Sequence, residues 1–497
     1  MLVCVLAPSS LSAQGPAENP AVDLPRAITL VPDPAPAAPF SGLFDAASLA
    51  AAAAETADGP RRACEGCPPR RPVRAIVQTL AVNVLFNLGA RLKPENAEYK
   101  VTLSSWWDNL KHGFEWDYNS FSVNQVGHPY QGSLYFNTGR ANGLSFWESA
   151  PLVALGSASW EYFGERNPAA INDFVTTTLG GIALGEMLHR AGWLIRDSGA
   201  TGRGRLFREL AATVLDPMTG ANRFITGDAS RVTENPPDLK PAFTVSDFEL
   251  GVQWNGEVNE RAVNATGEPF VGLRLGYNDV YTSPFKQPYD AFALTLRLGG
   301  GSAVSEAAIR GRLYGRVLGA DKEKSQSQFY VAQAYDYQDN GVFEYGGQSV
   351  VVGLSRLLQP SDSTRLAVFG AAGPIVLGAI RSGLVTVEPE EGDPNKRTYD
   401  FGPGAEFAAG AALRVRGIPI ARASYGGFYI RTVSAVEGVS GKHWAQVLRV
   451  DLLVPLWRQF RIGLGGDYIN RATYYDNSPD VHQWMPQLRV FLAKVSR

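Results

Sequence analysis

Charge is scarce in this sequence. Only 19% of its 497 residues are Asp, Glu, Lys or Arg, less than the usual quarter of a soluble protein. The 46 basic and 48 acidic side chains nearly cancel, to a net charge of −2, so no global field attracts nucleic acid. Long apolar runs are missing too. No stretch of about 18 residues is both apolar and free of charge, which argues against a helix-bundle membrane protein. Cysteine is limited to Cys4, Cys64 and Cys67. The Cys64-Glu-Gly-Cys67 pair has no second CxxC and no His pair nearby, so four zinc ligands are not in reach. Its Ala- and Pro-rich surroundings are not those of a thioredoxin-like site, and a local disulfide is expected. Walker loops, Rossmann fingerprints and nucleic-acid modules are absent.

Glycine and aromatic residues are abundant, with 52 Gly and 11% Phe, Trp and Tyr. After about Phe243 the apolar pattern has period two. Phe292, Leu294, Leu296 and Leu298 alternate with Ala293, Thr295, Arg297 and Gly299. Val271, Leu273, Leu275 and Tyr277 alternate with Gly272, Arg274 and Gly276, and Phe460, Ile462 and Leu464 with Arg461, Gly463 and Gly465. Roughly a dozen such segments, each near ten residues, match strands that cross a membrane on a tilt. A soluble β-sandwich has the same period, but its polar face is dense in Lys and Glu. Here that face carries Gly, Ala and single Arg residues, as a barrel lumen does. Lipid also requires a closed sheet, because an open edge leaves backbone groups unpaired.

Upstream the texture differs. Residues 1–13 resemble the remnant of an export signal, apolar and then small at Leu11-Ser12-Ala13. Residues 14–74 form a Pro- and Ala-rich arm. Residues 75–240 read as a helical domain, with helices over Val73–Gly89, Asn142–Phe163, Asp173–Arg196 and Gly204–Val214. Asn172 or Asp173 is the natural N-cap of the third. The aromatic stretch with Trp106, Trp107, Phe114, Trp116, Tyr118 and Phe121 suits either a membrane interface or a core.

Five polar residues in the helices are the candidates for acid/base chemistry: His128, Glu161, Asp173, Glu186 and His189. Glu161 and Glu165 share a helix face, as do Glu186 and His189. Thr177, Gly181 and Gly185 form a small-residue stripe that admits a second helix. A hairpin about Pro168 places Glu161, Glu165, Asn172 and Asp173 near the turn. It places Glu186, His189 and Glu148, with Arg140 and His128, roughly 24 Å away at 1.5 Å per residue. A di-iron bundle needs two Glu-x-x-His motifs and only one is present, so no metal and no cofactor are expected. Ser157 and Ser159 lack a nucleophile elbow. The remaining alternative is a buried polar network that fixes the helices.

The series WWDNLKHGFEWDYNSFSVNQVGHPYQGSLYFNTGR, SASWEYFGE, NDFVTTTLGGIALGEMLHR and LDPMTGANRF resembles the bacterial family called domain of unknown function 3943, over about Asn96 to Gly227. The resemblance implies an exported protein with this helical domain before a barrel, and it supplies no catalytic residues. The expected fold is α+β, a helical domain followed by an antiparallel transmembrane β-barrel of about 12 strands over residues 241–497. The domain is expected to plug or cap the barrel, in a structural or transport role. The alternative is an outer-membrane enzyme, a hydrolase or acyltransferase of lipid or envelope. Expected location is the cell outer membrane, after insertion by the barrel-assembly machinery. Expected partners are outer-membrane lipid, lipopolysaccharide or a small solute, and no nucleic acid.

Overall fold

The computed structural model describes residues 66–92, 97–256, 267–279, 283–321, 325–341, 343–385 and 397–496. The expected signal remnant, most of the expected arm and Cys64 lie outside them. Cys67 lies inside and is disulfide-bonded. Among the described residues there are seven α-helices. They are α1 (Pro72–Ala90), α2 (Leu103–His112), α3 (His128–Ala141), α4 (Phe146–Phe163), α5 (Ile171–Ile195), α6 (Gly202–Leu215) and α7 (Pro217–Thr226). Asp216-Pro217 ends α6, and Pro217 opens a further helix directly after it. It occupies the first turn of α7, where its missing N–H costs nothing, and the Asp216 side chain caps it at the Thr219 N–H.

Twelve strands follow: β1 (Thr244–Asn255), β2 (Glu268–Tyr277), β3 (Phe292–Gly299), β4 (Val304–Asp321), β5 (Ser325–Asp339) and β6 (Glu344–Ser361), then β7 (Thr364–Arg381), β8 (Tyr399–Val415), β9 (Ile418–Arg431), β10 (Gly441–Trp457), β11 (Phe460–Tyr475) and β12 (Val481–Ser496). Each pairs antiparallel with its sequence neighbour, and β12 closes on β1 through Val490↔Val252. The barrel has a turn end and a loop end. Two-residue connections such as Arg416-Gly417 and Arg458-Gln459 lie at the turn end, where the chain enters β1 and leaves β12. The longer connections from β7 to β8 and over residues 432–440 leave and re-enter the barrel at the loop end.

Register decides which side chains share a face. Glu249, Gly272, Arg297 and Glu306 lie on the lumen side. There, ion pairs join distant strands. Arg449 on β10 meets Glu306 on β4, six strands away in a ring of twelve. Arg274 on β2 reaches Asp451 on β10 at 2.9 Å, and Arg489 on β12 bridges Asp467 on the neighbouring β11 at 2.7 Å and Asp451 on β10 at 3.0 Å. Phe343, Tyr345, Phe428, Ile430 and Met485 form an apolar cluster toward the loop end. The lumen is therefore filled largely by its own side chains, around a remaining cavity of about 490 Å³.

The outward face begins at exposed Phe248 on β1. Its row continues through Leu273, Leu296, Ala307, Tyr337, Gly346, Ala379 and Phe401. Tyr337, Ala379 and Phe401 are nonetheless buried. What covers this row is the helical domain, through Phe121 stacked on Tyr337 and Trp116 against Phe401. The expectation of helices plugging the lumen is thus corrected: they pack on the outside of the wall. The lumen cannot take them, because its charged side chains pair with one another across it. Ala379→Arg is expected to lift the helices off, since a guanidinium fits neither the packed interface nor lipid. The barrel keeps its heat-modifiable mobility, while protease cleavage appears within the helices. Unchanged protease resistance would refute this packing.

Helix α1 is largely polar on its buried face and apolar on its exposed face. On α1, Val73, Val77, Leu80, Val84, Leu85 and Leu88 are exposed. Its buried face carries Thr79, which bonds Thr138 at 2.7 Å, and Asn83, which donates to the Gly156 carbonyl at 2.9 Å. Asn87 donates to the Gly164 carbonyl at 2.8 Å. A helix in water has the opposite polarity. On α4, Trp147, Leu155 and Phe163 are likewise exposed. Helix α1 is long and apolar enough to cross a membrane.

Candidate functional site

Three helix ends converge at the loop end of the wall. His128 is the first residue of α3, Glu161 lies in the last turn of α4 and Asp173 in the first turn of α5. One potential ligand atom from each lies within 4.8 Å of the others, and all three residues are buried. His128 Nε2 is 3.3 Å from Asp173 Oδ2. The turn about Pro168 brings Glu161 to Asp173 as expected. His128 joins them rather than Glu186 and His189, because the segment before Asn142, assigned no helix from the sequence, is helical.

That segment is instead the π turn Val123–Gly127 running into α3. The barrel wall holds the turn in place. Tyr335 donates from its hydroxyl to the Gln125 carbonyl, Asn124 donates to the Tyr399 hydroxyl at 2.7 Å, and Phe121 packs on Tyr399. A π turn widens the helix by one residue and often marks a functional site. Here it aims His128 at the ends of α4 and α5. Helix α5 starts at Ile171 with Ala170 as its N-cap, not at Asn172 or Asp173 as expected. Both side chains are thereby free to turn inward. Asn172 donates to Asp173 Oδ1 at 2.6 Å and to Asp117 Oδ1 at 2.8 Å, and Asn124 also donates to Asp117 Oδ1. Glu161 accepts from the Ala170 N–H at 2.8 Å. The sequence alone does not point to Asp117, Tyr335 or Tyr399. Gln333 and Gln348, polar on a face assigned to lipid, were the readable signal of a covered wall.

Glu165 sits beyond α4, accepting from the Trp160 indole N–H at 2.7 Å. Glu148 caps α4 and pairs with Arg70 at the surface. It does not join Glu186.

Glu186 and His189 lie toward the other end of α5. Glu186 is fully buried between Arg140 at 2.8 Å and Arg190 at 2.7 Å. Arg190 also donates to the Pro288 carbonyl and lies over the Tyr277 ring, which ties the helices to the turn end of the wall. His189 Nδ1 is 2.8 Å from Asp216 Oδ2. Both lie in ion-paired networks, Glu186 with two guanidiniums and His189 through Nδ1 with Asp216, although His189 Nε2 has no hydrogen bond among the described residues, and the structural reading suits them. The five candidates therefore form two centres, and His128, Glu161 and Asp173 are the ones brought together.

Residues 113–218 match the family model described as "Domain of unknown function (DUF3943)". The helical bundle carries this domain. Its matched span contains His128, Glu161, Asp173, Glu186 and His189, and it covers the π turn. No curated protein matches the chain. Among solved structures, the chain is similar to the NanC porin, at 6% identity over 48% of this chain and 98% of that one, TM-score 0.25. It is similar to the CymD monoaromatic hydrocarbon channel, at 8% identity over 52% and 89%, TM-score 0.22. It is also similar to the outer membrane channel DcaP of Acinetobacter baumannii, at 9% identity over 50% and 96%, TM-score 0.22.

Proposed function

We propose that this is an outer-membrane protein whose barrel anchors a helical bundle in the lipid beside it, and that the bundle modifies an envelope lipid. The inverted polarity of α1 carries the reading. Exposed Val, Leu and Phe with inward Thr and Asn suit a helix whose solvent is hydrocarbon. At 19 residues, α1 spans roughly 28 Å, close to the apolar thickness of a bilayer. Exposed Trp107 and Tyr118 near the loop end fit an interfacial belt, and α6 exposes Leu206, Phe207 and Leu210 beside Arg203 and Arg208 as an interfacial helix does.

Short turns in such barrels face the periplasm and long loops face outward. On that orientation the His128 centre lies at the level of the outer leaflet. Buried carboxylates and an imidazole at that depth are costly, and such groups mark functional sites. The chemistry they suit is hydrolysis or acyl transfer on an outer-leaflet lipid such as lipopolysaccharide. Barrel-assembly machinery inserts the chain.

The test compares outer-membrane lipids, by mass spectrometry, from cells expressing the protein and cells expressing Asp173→Asn. The expected result is a changed lipid species that disappears in the variant while the barrel remains inserted. Identical lipid profiles in all cells would refute the enzymatic reading. The lumen cavity favours a second reading, passage of a small solute. Planar bilayers decide it: the ion pairs across the lumen imply no stable conductance, and stepwise openings would refute a sealed anchor.

A further inference from the structure

We propose that His128, Glu161 and Asp173 hold a divalent transition-metal ion. Burial and charge motivate it. The centre gathers Asp117, Glu161 and Asp173 around a single imidazole, and among the described residues no Lys or Arg forms an ion pair with any of the three carboxylates. Arg397 comes near, but it donates to the Asp117 backbone carbonyl. Carboxylates buried without a cation are expensive, and the usual remedies are protons or a metal.

Geometry favours the metal. The ligand atoms already lie within 4.8 Å of one another. The 3.3 Å between His128 Nε2 and Asp173 Oδ2 equals the edge of a tetrahedron of ligands with bonds of about 2.0 Å. His128 Nε2 is buried, faces that carboxylate and has no aligned hydrogen bond. An unused nitrogen pointed at a carboxylate suits a ligand for an ion between them. Each ligand comes from a different helix, so the ion would pin α3, α4 and α5 at the loop end. Their spacing, 33 and 12 residues apart, explains why the sequence reading expected no metal.

One imidazole with two carboxylates suits zinc, manganese or iron(II). Three protein ligands leave a coordination position open, as catalytic sites do. The inference shares its centre with the proposed lipid chemistry, yet it is measured without turnover.

The full chain, purified in detergent without chelator, is loaded in turn with zinc, manganese and iron(II), dialysed, and its metal content measured by mass spectrometry. The expected result is one ion per chain for at least one metal, lost in His128→Ala and Asp173→Ala and kept in Glu165→Gln. Cobalt(II) absorption of the unmutated chain gives a tetrahedral or five-coordinate ligand-field band, a readout independent of variant folding. Chains that retain no metal after dialysis, or variants that retain it fully while folded, overturn the site. Bound metal with unchanged lipids leaves the site and removes the lipid chemistry. Changed lipids with no bound metal do the reverse.

Discussion

Glu186→Ala is expected to destabilise the helical bundle by about 3–5 kcal/mol, the usual cost of removing one partner from a buried ion pair. The carboxylate is fully buried and shared by two buried guanidiniums, Arg140 and Arg190. Without it, two positive charges remain on adjacent helices with no water to solvate them. Glu186→Gln retains acceptors and is expected to lose less. The Arg70–Glu148 pair is the contrast, since both side chains are substantially exposed. Removing Glu148 there forfeits about 1 kcal/mol or less of ion-pair energy, plus its cap on α4. Limited proteolysis across a urea series reads the difference, with barrel mobility as an internal control. Equal midpoints for Glu186→Ala and the unmutated chain would show that the network does not hold the bundle.

Gly181→Val is expected to separate α3 from α5 and disable the His128 centre. A Cβ on Gly181 would lie 2.5 Å from the Gly132 Cα, and one on Gly132 would lie 2.1 Å from the Thr177 carbonyl oxygen. These obstacles are backbone, so the helices themselves must shift. Overpacking of this kind costs about 1–3 kcal/mol, occasionally more. Gly132 lies four residues from His128 and Gly181 eight from Asp173, so a shift widens the gap between those two ligands. Metal retention should be lost while the barrel stays inserted. Gly204→Ala is the control, because a Cβ there meets nothing. Full metal retention by Gly181→Val would mean that the approach of these helices does not position the site.

The barrel was legible because lipid and lumen impose opposite demands on alternate residues. Leu294 and Leu296 against Thr295 and Arg297 identify two faces, and repetition gives about twelve strands. The small-residue stripe at Thr177, Gly181 and Gly185 foretold the close helix contact. The helical domain's environment was not legible. Charges interrupt α5, which hides its burial in the bundle, yet Glu186, Arg140 and Arg190 neutralise one another there. The aromatic stretch divides: Trp116 and Phe121 pack on the wall, while Trp107 and Tyr118 remain exposed.

The sequence by itself determined the local periodicities, and with them the helices, the strands and which strand residues share a face. Those follow from backbone geometry, which repeats every 3.6 or two residues whatever surrounds the chain. Only the tertiary structure decided what each face meets. Alternation makes Tyr337 and Ala379 outward residues but cannot say that helices, not lipid, cover them. Spacing puts Glu161 near Asp173, but His128 joins them only because a π turn, held by Tyr335 and Tyr399 from strands more than 200 residues away, turns it inward. Contacts at such separations depend on how closed surfaces fit, which no local pattern records.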